Sequence, residues 1–365
     1  VSVTVGNFGA RGDGSTDDTV AIQAAVRVCL KDNQTLLVPS GTYVCTAPIT
    51  GTGRLHMFGA GVRNTIFQFP DNAGFRFTVS DQFHSVHLRD FSVLGGATGT
   101  GNAAIKLFNS ANAIPNPGNT ELSDISNVWV SGTDAPAAAN YWSYGIDLHY
   151  VSNVNLSNVM VTGNALAQGT GLLVRGSEVL PPVVYNLSGC TFNYLNAGVE
   201  YGDYVQGVSI TAGNFTGCMV GVDAVAGLTG LDQLSISASQ FNCTVAAVNT
   251  ATFIPDLTFS GNVVFIPGPK SGQAVGLNLI ETHRGAVVGN CFSGFNELER
   301  AYGVVVYSNS GAGVAITGNS FSTLRAGVVL QATSKGNNVQ SNVYSDVKNP
   351  VINTGSGNVI GGGSL

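Results

Sequence analysis

Phe8-Gly9-Ala10-Arg11-Gly12-Asp13-Gly14-Ser15-Thr16-Asp17-Asp18-Thr19, followed by Ala21-Ile22-Gln23-Ala24-Ala25, is the stretch from which the fold of this chain is read. Ahead of it, Val1-Ser2-Val3-Thr4-Val5 alternates as a half-buried strand does. Gly9, Gly12 and Gly14 punctuate a loop that needs backbone conformations side chains disfavour. Ser15, Thr16 and Asp17 offer caps for a helix over residues 17–31. That helix is expected to bury Val20, Ile22, Ala25, Val26 and Cys29, and to plug one end of a solenoid. Asp17 and Asp18 then read as cap and first-turn acids favoured by the helix dipole.

Two further turns follow, Val38-Pro39-Ser40-Gly41-Thr42-Tyr43 and Gly59-Ala60-Gly61. The three motifs, in this order, resemble the N-terminal signature of the pectate-lyase-like superfamily. Its fold is shared by polygalacturonases, phage tailspike depolymerases and alginate C5-epimerases. The resemblance implies a fold more than an activity, since hydrolases, lyases, epimerases and inert spikes share it.

From about residue 84 the chain repeats loosely every 23 to 38 residues. One strand of each repeat ends in an aromatic or branched residue: Phe91, Val128, Val159, Phe192, Phe215, Phe241, Val264, Phe292, Phe321, Tyr344. An Asn often precedes it, as in Gly213-Asn214-Phe215, Asn290-Cys291-Phe292 and Asn319-Ser320-Phe321. Short strands with Gly-rich turns at such a period mean stacked coils, in which Asn amides bond to one another along a ladder. The expected fold is therefore all-β: one right-handed parallel β-helix domain over residues 1–365, of about ten coils, with an N-terminal capping helix. Residues 1–60 supply the first strand, the helix and the first coils, and residues 84–360 the regular coils.

Composition agrees. Charged residues are 10%, Gly is 48 of 365 and the formal charge is −6. With no basic patch, nucleic acid is not the expected partner. No apolar run is long enough to span a membrane. The chain begins at Val1 without a signal peptide, which leaves room for a removed leader or upstream domain. The cysteines, at 29, 45, 190, 218, 243 and 291, lack metal spacing and read as small core hydrophobes, with Cys218 and Cys243 on neighbouring coils. No metal or cofactor is expected.

A second strand recurs in each repeat: Ala104-Ile105-Lys106-Leu107-Phe108, Gly145-Ile146-Asp147-Leu148-His149, Gly171-Leu172-Leu173-Val174-Arg175, Gly198-Val199-Glu200-Tyr201, Gly221-Val222-Asp223-Ala224 and onward. Strand side chains alternate, so Ile146, Leu172, Val199 and Val222 face the core. The residue after each then faces outward: Lys106, Asp147, Leu173, Glu200, Asp223, Asn249, Asn278, Val305, Val329. A neighbouring outward column holds Phe108, His149, Arg175 and Tyr307. A chain this poor in charge gathers Lys, carboxylates, His and Arg on one strip of sheet. One expectation is therefore a continuous groove.

Three functions fit that strip. Coils stack about 4.8 Å apart, so Glu200 and Asp223 would stand roughly 5 Å apart, and Asp147 and Glu200 roughly 9 to 10 Å. These separations suit the acid and the base or nucleophile of a glycosidase. The first expectation is thus a tailspike-like depolymerase, a glycoside hydrolase of microbial exo-, capsular or O-antigen polysaccharide. Glu200 with Asp147 or Asp223 would be catalytic, and Lys106, Arg175, His149 and the aromatic Tyr141 and Trp142 would hold the glycan. Second, Tyr144-Gly145-Ile146-Asp147-Leu148-His149 resembles the Tyr-Gly-x-Asp-x-His motif of alginate C5-epimerases, with Lys106 where those enzymes place a basic residue. That resemblance implies uronate lyase or epimerase chemistry with Tyr144 and His149 as acid and base. Leu148 and Tyr150 depart from it, standing where those enzymes carry Pro and an acidic residue. Third is a non-catalytic glycan-binding or structural spike. The resemblance further implies a homotrimer, placed extracellularly or on a virion tail. Three excursions would wall the groove, at Asn112–Gly118, Asp134–Asn140 and Glu178–Pro182.

Overall fold

In the computed structural model, residues 2–110, 120–134, 139–267, 272–295, 299–308 and 313–361 are described. The Asn112–Gly118 wall and residues 135–138 of the second excursion lie outside them. The chain falls into two compact units, Val1–Asn196 and Ala197–Leu365. Each is a parallel β-solenoid, and their turns number about 12, a little more than expected. Among the described residues no helix is long and apolar enough to cross a membrane.

In the first unit the helix spans Thr19–Asp32 and buries Ile22, Ala25, Val26 and Cys29 completely. Val20 does not join them and is 80% exposed, because it lies on the helix face turned from the first coils. Asp17 accepts from the Thr19 backbone N–H and hydroxyl, and so caps the first turn. Asp18 does something else. It is buried and accepts the backbone N–H groups of Arg11 (2.7 Å) and Gly12 (3.0 Å), which stitches the glycine loop to the helix start. Gly12 sits at φ +62°, and a Cβ there would lie 2.9 Å from the Tyr43 ring. Its carbonyl accepts the Thr42 N–H at 2.8 Å. The first two sequence motifs are therefore two sides of one contact, and the close approach excludes a side chain at position 12.

The second unit shows why Gly and an aromatic recur together. Phe215 stacks on Phe241 (4.6 Å between ring centroids, 4° between planes), Phe292 on Phe321 (5.0 Å, 9°) and Phe321 on Tyr344 (5.4 Å, 11°). Each ring presses on the glycine that opens the neighbouring strand. A Cβ on Gly303 would lie 2.4 Å from the Gly327 carbonyl oxygen and 2.6 Å from the Phe321 ring. An amide ladder runs beside the stack, from Asn262 Nδ2 to Asn290 Oδ1 (3.0 Å), Asn290 to Asn319 (2.9 Å) and Asn319 to Asn342 (3.0 Å). Every rung is buried, and each Nδ2 also donates to a backbone carbonyl, so the interior polar groups are satisfied. Asn214 is not a rung: it is exposed and accepts from Thr216, while Ser239 bonds to both the Gly213 N–H and Asn262. All six cysteines are free thiols; five are buried, and Cys291 is exposed rather than in the core.

Candidate active site

The outward column of the first unit forms in the register the alternation dictates. Arg76 pairs with Lys106, Lys106 with Asp147, and Asp147 with Leu173 on successive strands. Beside it runs Thr78, Phe108, His149 and Arg175. Ile146 and Leu148 are fully buried on the opposite side of their strand, which fixes Asp147 and His149 on this one.

Part of these columns lines a cleft of about 420 Å³, with Arg76, Asn102, Lys106, Phe108, Asp147 and Arg175 in its wall and His149 next to it in register with Phe108 and Arg175. Asp147 is 2% exposed and closely held. Arg175 meets it with both ends of its fork, Nη2 to Oδ2 at 2.7 Å and Nε to Oδ1 at 3.2 Å. Lys106 Nζ lies 3.3 Å from the same Oδ2. Both cations keep about a third of their side-chain surface exposed, 35% for Arg175 and 33% for Lys106. Arg76 is exposed, and its Nη2 donates to Asn102 Oδ1 at 2.9 Å. Three cations thus line the cleft with one carboxylate, which two of them engage, in a chain whose net charge is −6.

His149 stands at the edge of this charge. Its ring lies edge-on to Phe108 (5.4 Å) and against Tyr150 (3.9 Å). Burial first, and then the positive charge of Arg175, push its pKa down to about 4; Asp147 opposes the shift and Lys106 adds to it. The imidazole is therefore neutral near pH 7. Its Nδ1 is buried without a hydrogen-bond partner.

Other expected residues are placed differently. Trp142 offers no stacking face, being 2% exposed, with Nε1 bonded to the Ser131 carbonyl (3.1 Å) and the ring packed on Phe69. It belongs to the core. Tyr141 is half-buried beside Gly99 and does not line the cleft. Tyr144 heads the strand of Asp147, half-buried, one residue before Gly145, whose Cβ position faces the buried Val161 side chain at 2.5 Å.

In the second unit Glu200 and Asp223 are partners on adjacent strands, followed in register by Asn249 and Asn278. Asn249 Nδ2 donates to Asp223 Oδ1 (2.7 Å), and Asn278 Nδ2 to Asn249 Oδ1 (2.8 Å). Burial raises the Asp223 pKa, and the Asn249 bond opposes the rise. Among the described residues, no three His, Cys, Asp or Glu side chains are arranged to hold a metal ion.

Sequence reasoning missed Arg76 and Asn102. The alternation Phe75-Arg76-Phe77-Thr78-Val79, with Phe75, Phe77 and Val79 buried, carries the signal for Arg76. It lies before residue 84, ahead of the repeats that make the columns visible in the sequence.

Solved structures share the fold. A mutant tailspike of E. coli bacteriophage HK620, in complex with a pentasaccharide, has a TM-score of 0.66 at 15% identity, over 97% of this chain and 68% of that one. The surface adhesin PfbA of Streptococcus pneumoniae has a TM-score of 0.57 at 13% identity, over 98% and 94%. The catalytic unit of an α-1,3-glucanase from Streptomyces thermodiastaticus has a TM-score of 0.52 at 16% identity, over 99% and 68%. At these identities the likeness is one of fold. No curated protein matches the chain in sequence. The family described as rhamnogalacturonase A/epimerase, pectate lyase-like, matches residues 2–224, more than half of the chain, and the protein belongs to that family.

Proposed function

We propose that this protein is a carbohydrate-active enzyme of acidic polysaccharides, which binds a uronate carboxylate in the first unit's cleft and acts at the adjacent C5–H bond. One observation carries the reading: Arg76, Lys106 and Arg175 line one cleft with a single carboxylate among them. Such a cleft is incomplete without an anion, and a sugar carboxylate supplies one.

The chemistry follows from charge. Removing the C5 proton places the electron pair on the carboxylate as an enolate, and cations already in position stabilise the charge as it develops. Neutral His149 is the candidate base. Tyr144, at the head of the same strand, is the candidate partner on the other face of the ring. If the C4–O bond then breaks, a C4–C5 double bond forms and the leaving alkoxide takes a proton, which is a lyase step. If C5 is instead reprotonated from the other face, the sugar is epimerised. Asp147 is not assigned to proton transfer, because Arg175 occupies both of its oxygens and Lys106 a third contact. It positions the two cations.

A second reading has its own support. Glu200 and Asp223 are neighbours in register, so their backbones stand about 4.8 Å apart. Burial raises the Asp223 pKa, as a general acid requires. This pair suits hydrolysis with retention. In either case we place the protein outside the cell or on a virion tail, with a homotrimer the expected assembly; the fold likeness to a tailspike and a surface adhesin supports this.

The test is a panel of acidic and neutral polysaccharides followed for unsaturated uronates, C5 inversion and new reducing ends. Unsaturation or inversion on acidic polymers supports the first reading. Reducing ends without unsaturation support hydrolysis. Binding without any product would make the protein a glycan-binding spike.

A further inference from the structure

The cleft's charge is divided unevenly, and the division bears on which polymer it takes. Asp147 answers Arg175 and Lys106 together, which leaves one positive charge uncompensated at that pair. Arg76 is one strand away from Lys106 in the same column, about 4.8 Å at the backbone. Its hydrogen-bond partner is the neutral amide of Asn102, and among the described residues no carboxylate pairs with it. A second positive charge is therefore uncompensated at Arg76.

A guanidinium braced through one nitrogen keeps its other donors for a planar anion. Asn102 removes much of the freedom an exposed arginine would lose on binding, without neutralising it. Two uncompensated charges one strand apart match two monoanions about a sugar unit apart better than one.

We propose that Arg76, braced by Asn102, is a specificity residue that binds the carboxylate of a second, adjacent sugar, so that the cleft takes polymers with acidic groups on consecutive units. This rests on the uronate reading above, with the first carboxylate at Lys106 and Arg175. Polymers whose acidic sugars are separated by neutral ones would fill only one of the two positions.

The test is calorimetric binding of oligouronates of one, two and three units, prepared from galacturonan, alginate and glucuronan, to the full chain and to Arg76→Gln, Arg76→Lys and Asn102→Ala. For a uronate that binds, affinity should rise from one unit to two. Arg76→Gln should lower two-unit affinity about tenfold or more, as loss of a hydrogen bond to a charged group implies, and one-unit affinity by a much smaller factor, about twofold, because only the distant part of the cleft's charge is lost. Arg76→Lys should recover part of the loss, and Asn102→Ala should show a smaller loss of the same pattern. Arg76 is exposed, so these variants should keep the circular-dichroism spectrum of the parent. An unchanged two-unit affinity in Arg76→Gln, or an equal loss for one and two units, overturns the assignment of Arg76 while leaving the uronate site standing. If no uronate of any length binds the parent, the uronate reading itself fails and this inference fails with it.

Discussion

Arg175 grips Asp147 through both nitrogens of its fork, at 2.7 and 3.2 Å, across the boundary between two outward columns of one sheet. Arg175 stands in register with His149, and Asp147 with Leu173. The pairing is therefore diagonal, and it turns a carboxylate that strand alternation alone would expose into a buried counter-ion. Bidentate pairing fixes the guanidinium plane, and Lys106 on the other side completes the clamp.

Asp147→Asn should accordingly do more than remove a charge. It leaves Arg175 and Lys106 facing each other with a neutral amide between them. We expect a loss of about 1.5–3 kcal/mol in stability, the worth of a hydrogen bond to a charged group, read from urea unfolding. Turnover should fall as well. A variant as stable as the parent would show that the clamp is not a structural element.

His149 makes stability depend on pH in a stated direction. Its folded pKa of about 4 lies below the ordinary 6.5, so between these values the unfolded chain binds the proton more readily. Its contribution is fully present above about pH 6.5, declines as the pH falls, and levels off below about 4. Urea midpoints of the parent should therefore drop more between pH 7 and pH 4.5 than those of His149→Gln. Equal drops would contradict the shift.

In catalysis the same charges predict a difference between two acid limbs. A bound uronate carboxylate offsets the positive charge of Arg175 and Lys106, which depresses the His149 pKa. The acid limb of kcat, which reports the complex, should then lie at higher pH than that of kcat/KM, which reports the free enzyme. Coincident limbs would remove His149 from the proton-transfer step.

Two constellations compete for the chemistry, and substitutions separate them. Tyr144→Phe and His149→Ala should each lower turnover about a hundredfold or more, the usual worth of an acid or base. Glu200→Gln and Asp223→Asn should stay within a few-fold of the parent. The reverse pattern, in initial rates on the active polymer, would transfer the reaction to the second unit.

Gly303→Ala tests the packing rule of the coils. The added methyl would meet the Gly327 carbonyl and the Phe321 ring, both on the next strand. We expect about 1–3 kcal/mol of destabilisation by thermal or urea unfolding. A neutral effect would show that the stack has slack the geometry does not suggest.

How far the site could be read from the chain follows from what each residue depends on. The placement of Lys106, Asp147 and His149 was legible, because core-facing Ile105, Ile146 and Leu148 leave their neighbours only the outer face. The clamp on Asp147 was not, since it is diagonal and depends on how far an arginine leans between columns. Trp142 misled for a similar reason: an indole looks available until the fold brings the Ser131 carbonyl to its N–H. Asn214 looked like a ladder rung, but the rung position in that coil falls one residue earlier, at Gly213, whose N–H is bonded by Ser239. Val20 followed the helical spacing of its neighbours yet remained on the open face of the helix.

A cleft that recognises the charge of an acidic sugar must lose affinity when that charge alone is removed. Calorimetry on a bound polyuronate and on the same polymer with its carboxyl groups reduced to alcohols differs only in that charge. Reduction should weaken binding at least about tenfold, and Lys106→Gln should weaken binding of the acidic polymer but not of the reduced one. Equal affinity for the two polymers would contradict charge recognition by the cleft.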